Sequence, residues 1–202
     1  MKPVCLVLGA GAGIGGTVAA KFASEGYHSC LCRRSDQEGL DRLVKGIEDE
    51  GGSANGYLIN AIEDNVIEDL INTIESDVGP IEVVVYNLGA QTGMKLLKDT
   101  SHKEFEWGWR MASLGLFRVA KVLCPIMKER GKGTILVTSA TAAMRGNATQ
   151  HSHAAAMGAR RMLCQSLNAE FSASGIHVAH IVIDGAVDAP DTLGKMLGPE
   201  MF

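Results

Sequence analysis

The feature that most constrains this chain is an apolar run opening straight into glycines. Val4–Leu8 is followed by Gly9-Ala10-Gly11-Ala12-Gly13-Ile14-Gly15-Gly16 and then by an Ala-rich helical segment, Thr17 to Glu25. A strand, a glycine turn and a helix in this order form a phosphate-binding turn. Glycine lets the backbone take positive φ and come close to a ligand. The helix that follows turns its unpaired N–H groups and positive dipole end toward a phosphate. A merely flexible loop fits poorly, because strong patterns order both of its flanks.

The turn is compatible with several nucleotides. Gly11, Gly13 and Gly16 satisfy the GxGxxG dinucleotide spacing. Gly9, Gly13 and Gly15 satisfy GxxxGxG, and Gly9, Gly11 and Gly13 satisfy the GxGxG seen in S-adenosylmethionine-dependent methyltransferases. A Walker loop is excluded, since no Lys-Ser or Lys-Thr follows the glycines.

The remainder alternates between two periodicities. Strands are expected at Val4–Leu8, His28–Cys32, Ala54–Ile59, Ile81–Tyr86, Gly133–Thr138 and Ile176–Ile183. Helices are expected at Ile14–Glu25, Asp36–Glu50, Asp64–Asp77, Lys103–Arg130 and about Gln150–Ser174. This alternation predicts right-handed βαβ crossovers and an α/β fold, a Rossmann-type doubly wound parallel sheet in a single domain over 1–202. Runs such as Val83-Val84-Val85 suit central parallel strands buried on both faces. Ligands of such sheets bind at the carboxyl ends of the strands, near the switch in strand order.

Bulk properties narrow the partners. A net charge of −4 gives no basic footprint, so nucleic acid is not expected. Five cysteines without CxxC spacing read as reduced thiols and not as a zinc site, and no metal site is expected. The N-terminal apolar run is broken by glycines, and no segment reaches membrane-spanning length, so a cytoplasmic address with no membrane partner is expected.

Taken together, the strand ends resemble the short-chain dehydrogenase/reductase family over nearly the whole chain. The resemblance rests on Gly9-x-x-x-Gly13-x-Gly15, on Tyr86-Asn87-Leu88-Gly89 after the fourth strand, and on Leu114-Gly115-Leu116-Phe117 followed by Pro125. Ser139 at the fifth strand, Gln165-Ser166-Leu167 with Glu170, and Asp184-Gly185-Ala186-Val187 complete it. It implies an oxidoreductase moving hydride between a nicotinamide cofactor and a carbonyl or alcohol. It also implies cofactor contacts at Gly9, Gly13, Ile14, Gly15, Asn87, Gly89 and Val187. Arg33-Arg34 end the second strand where an NAD-binding domain carries Asp or Glu, and paired guanidiniums suit a 2′-phosphate, so NADP(H) is expected. Asn60 stands where the family often has an Asp contacting adenine.

The catalytic pattern departs from the family. Counting back from Gln165-Ser166-Leu167, the tyrosine position holds His153 and the lysine position Met157, while counting back from Pro125 puts Ala112 in place of the relay asparagine. Only Ser139 survives; the commonest spacing from it would select Ser152 instead of His153. Three readings follow. His153 replaces the tyrosine, its imidazole titrating near neutral pH at about 6.5; the His-Ser-His segment simply starts a helix; or the site is idle and the chain is a nucleotide-binding or regulatory protein. The family's substrate-binding loop, last helix and seventh strand would lie past the sixth strand. An incomplete loop from about residue 186, the last helix and strand missing, and at most a homodimer through 103–130 and 150–174 are therefore expected.

Overall fold

The computed structural model describes residues 1–89, 93–185 and 187. Strands β1 (Val4–Leu8), β2 (His28–Arg33), β3 (Ser53–Leu58), β4 (Ile81–Tyr86), β5 (Gly133–Ala140) and β6 (Ile176–Ile183) make one sheet in the order β3-β2-β1-β4-β5-β6. Every pairing is parallel. The order reverses between β1 and β4, and the crevice at their carboxyl ends is the expected ligand position.

Helices α1 (Ile14–Ser24), α2 (Gln37–Asp49), α3 (Val66–Asp77), α4 (His102–Trp109), α5 (Gly115–Arg130) and α6 (His151–Phe171) cover the sheet. All five residues of β1 are buried, as a strand covered on both faces requires. Its side chains alternate between two cores. Val4, Leu6 and Leu8 pack with α3, α5 and the distal part of α6, while Cys5 and Val7 pack with α1 and α2.

The structure corrects several expected boundaries. Strand β5 runs two residues past Thr138, because β6 stays paired to it as far as Ala140↔Ile183. Helix α6 ends at Phe171, and Ser172–Ser174 tighten into a 3-10 turn. The single helix expected over Lys103–Arg130 is α4 and α5 joined by a π-helical turn, Arg110–Leu114. Two buried side chains cause the break: Tyr86 Oη donates to the Met111 carbonyl, while Arg160 Nε donates to the Ala112 carbonyl at 3.0 Å. Side chains inserted into the helical ladder widen it in this way. Gly115 leaves the space, since a Cβ there would lie 2.2 Å from Tyr86 Oη. The start of α4 has a sequence signal, the Ser101-x-x-Glu104 capping box. The region from Asp188 onward lies outside the described residues, as does Ala186, so the expected incomplete loop falls there.

Candidate active site

The glycine turn is held from below by the sheet. The N–H groups of Gly9 and Ala10 both donate to the Cys32 carbonyl, at 3.0 and 2.9 Å. Gly9 has φ +95°, and a Cβ on it would lie 2.7 Å from the Asn87 carbonyl oxygen. Gly13 is the N-cap of α1, with no side chain capping that helix, and Ile14 is its first residue. A Cβ on Gly15 would lie 2.2 Å from the Gly9 oxygen, whereas one on Gly11 would meet nothing within 4 Å. Of the three overlapping spacings, the two that need Gly11 invoke a glycine facing open space. The Gly9–Gly13–Gly15 spacing has packing demands at both ends. This cradle, with its uncapped helix end, fits the phosphates of a dinucleotide.

Asn87 ties the cradle to the sheet. Its side-chain amide donates to the Gly9 carbonyl at 2.9 Å and accepts from Thr138 Oγ1 at 2.7 Å. On either side of this tie lies a cleft. The smaller one is lined by Gly9, Arg33, Arg34, Asn60 and Met111. Arg33 is not free: it pairs with Asp36 at 2.9 Å. The Gly39 amide, and after it the Arg33 guanidinium, hold the Asp36 carboxyl below its ordinary range. Arg34 is exposed beside it. Asn60 donates to Glu63 Oε1 at 2.8 Å.

The larger cleft has a volume of about 210 Å³. Its lining includes Ile14, Asn87, Gly89 and Val187 from the expected cofactor set, together with Ser139 and His153. Leu88 lines both clefts, which therefore meet at the end of β4. Ser139 sits on the penultimate residue of β5, buried, with Oγ 3.7 Å from Met157 Sδ. At the start of α6, His153 lines the cleft, whereas Ser152 donates to the Glu104 carbonyl at 3.1 Å. Met157, in the expected lysine position, is buried beside Ser139 and brings no charge. Ala112 lies in the π-helical turn and offers only its carbonyl.

One lining residue was missed by sequence reasoning. Arg160 is 2% exposed. Its Nη1 and Nη2 donate to the carbonyls of Thr138 (2.8 Å) and Leu88 (2.6 Å), and its Nε to that of Ala112. Its guanidinium lies 5.2 Å from the centroid of the Tyr86 ring. The only sequence signal was an Arg-Arg pair inside a long helix, and that reads as a solvated face.

Comparison with known proteins agrees with this geometry. Residues 3–193 match the short chain dehydrogenase family. The chain belongs to that family. Among family relatives, a 3-oxoacyl-[acyl-carrier-protein] reductase from Thermotoga maritima is 28% identical over 191 residues, covering 94% of this chain and 76% of the relative. A short-chain dehydrogenase structure from Rhodopseudomonas palustris superposes with a TM-score of 0.84 at 31% identity, covering 89% of this chain and 84% of that one. A gluconate 5-dehydrogenase from Burkholderia cenocepacia, solved with NADP and tartrate, gives a TM-score of 0.82 at 26% identity, covering 91% and 71%. Family membership brings an oxidoreductase fold built around a nicotinamide dinucleotide. Among the described residues, no helix is long and apolar enough to cross a membrane.

Proposed function

We propose that this short-chain dehydrogenase binds NADP(H) and reduces or oxidises a carbonyl or alcohol at an atypical site. The observation that carries the reading is the shared cleft: Ser139 and His153 face the same space as Ile14, Asn87, Gly89 and Val187. The glycine cradle would hold the pyrophosphate, and the cleft at Asn60 the adenine. Arg34 would meet the 2′-phosphate, with Arg33 joining once shared with Asp36. The NADP held by the gluconate 5-dehydrogenase from Burkholderia cenocepacia supports the same preference. When bound, the nicotinamide supplies or accepts the hydride. Ser139 Oγ–H would hold the substrate oxygen, and the His153 imidazole would exchange the proton with it, as an imidazole can near neutral pH. The exposed Trp109 and Phe117, on α4 and α5, support a homodimer through the helices of 102–130 and 151–171.

A second reading, a nucleotide-binding protein without turnover, is favoured by Met157 and Ala112 standing where the family's lysine and asparagine are expected. NADPH and NADH oxidation with a panel of carbonyls separates the two, using the parent, Ser139→Ala, His153→Ala and Arg34→Ala. The working site predicts turnover lost at least about a hundredfold in His153→Ala and a selective loss of NADPH affinity in Arg34→Ala. Turnover indifferent to both Ser139 and His153 refutes the proposed site; bound NADPH without turnover selects the second reading.

A further inference from the structure

The larger cleft contains a charge that no carboxylate balances among the described residues. Arg33, Arg110, Arg118 and Arg130 each meet a carboxylate. Arg160 meets none among the described residues. Its partners are the carbonyls of Leu88, Thr138 and Ala112 and the face of Tyr86. Its titratable neighbours bring no negative charge: burial pushes the Tyr86 phenol far above its ordinary range and the Cys164 thiol up to about 11, while burial, and after it the Arg160 charge, lower the His180 imidazole. A guanidinium does not give up its proton inside a protein. Among the described residues, Arg160 is also the only Lys, Arg, Asp or Glu lining the cleft, and its other charged-capable lining group is His153.

We propose that Arg160 sets the redox-state preference of this cleft, favouring the neutral dihydronicotinamide over the cationic oxidised ring. The inference rests on the reading of the cleft as the nicotinamide half of the cofactor site. Like charges repel far more strongly in a partly desolvated site than in water. An oxidised ring placed against the ends of β4 and β5 would meet the Arg160 charge, and a reduced ring would not. The protein therefore loads with the reduced cofactor and releases the oxidised one. Met157 leaves the charge to Arg160, one helical turn further along α6, where three carbonyls fix it in place.

The test is calorimetric titration of the parent, Arg160→Lys, Arg160→Gln and Arg160→Met with NADPH, NADP⁺ and 2′,5′-ADP, repeated with NADH and NAD⁺. The parent should bind the reduced form about tenfold more tightly than the oxidised one. Arg160→Gln and Arg160→Met should bring that ratio toward unity and Arg160→Lys should largely keep it, while the 2′,5′-ADP affinity stays constant. A purely structural role would weaken both redox forms alike and leave the ratio unchanged, which would overturn the proposal. Equal binding of both forms by the parent would overturn it without any variant, should the neutral substitutions fail to fold. Binding of neither nucleotide pair would remove the cofactor reading itself, and the inference with it.

Discussion

Alanine at Gly15 should destabilise the protein and alanine at Gly11 should not, although both glycines lie in one turn. Gly15 is in the first turn of α1, where alanine is preferred over glycine by about 1 kcal/mol on helix propensity alone. Its Cβ, however, would lie 2.2 Å from the Gly9 oxygen and 2.8 Å from the Ala10 Cα. Ordinary contact is about 3.5–4 Å, so backbone held by Cys32 and Asn87 would have to move by more than about an ångström. Overpacking of that kind costs about 1–3 kcal/mol, and immobile backbone places this site at the upper end. The net loss is about 2 kcal/mol, a fall in Tm of about 4–8 °C for a domain of this size. Gly11→Ala meets nothing within 4 Å and should stay within about 0.5 kcal/mol of the parent. Urea denaturation followed by circular dichroism, with thermal melts beside it, measures both. A Gly15→Ala protein as stable as the parent, or a Gly11→Ala protein equally damaged, would refute the packing argument.

Tyr86→Phe removes the donor to the Met111 carbonyl inside the π-helical turn and should cost about 1–3 kcal/mol in urea denaturation; unchanged stability would show that the turn does not depend on this bond. Glu68 accepts from Arg118 Nε and Nη2 at 2.8 and 2.6 Å, and those hydrogen bonds hold its carboxyl below the ordinary range. A carboxyl whose folded pKa is depressed adds stability above its unfolded pKa and loses it as pH falls through the folded one. Glu68→Gln should therefore be about 1 kcal/mol less stable than the parent at pH 7, with the gap closing below about pH 4; a gap that persists into acid would contradict the ion-pair account. In sedimentation equilibrium, the double substitution Trp109→Glu with Phe117→Glu should turn a dimeric parent into a folded monomer, and a monomeric parent would sink the dimer.

What the sequence made legible follows from how locally each feature is encoded. Val4–Leu8 and Ile81–Tyr86 are apolar runs bounded by glycine, proline or asparagine, and the structure keeps their ends unchanged. The glycine cradle was legible because positive φ and close backbone approach admit few residue types. The π-helical turn was not, because its cause lies in Tyr86 and Arg160, far along the chain from the Met111 and Ala112 carbonyls to which they respectively donate. Arg160 was hidden for the same reason. Its burial depends on carbonyls from the segment after β4, from β5 and from the turn, and no periodicity within α6 announces them. The Arg33–Asp36 pair could have been suspected from spacing, yet its geometry depends on Asp36 adopting φ 71° at the N-cap of α2.

The amide of Asn87 has a consequence for how this sequence can change over generations. Its nitrogen is committed to the Gly9 carbonyl and its oxygen to the Thr138 hydroxyl. An aspartate there would set a negative oxygen against the Gly9 carbonyl, and a serine would reach only one of the two partners. Loss of the Thr138 hydroxyl would in turn strand an acceptor beside the phosphate cradle. Positions 9, 87 and 138 are therefore physically coupled, and the effects of substituting them should not add. Variation can accumulate more freely at positions such as 11, whose neighbours ask nothing of it.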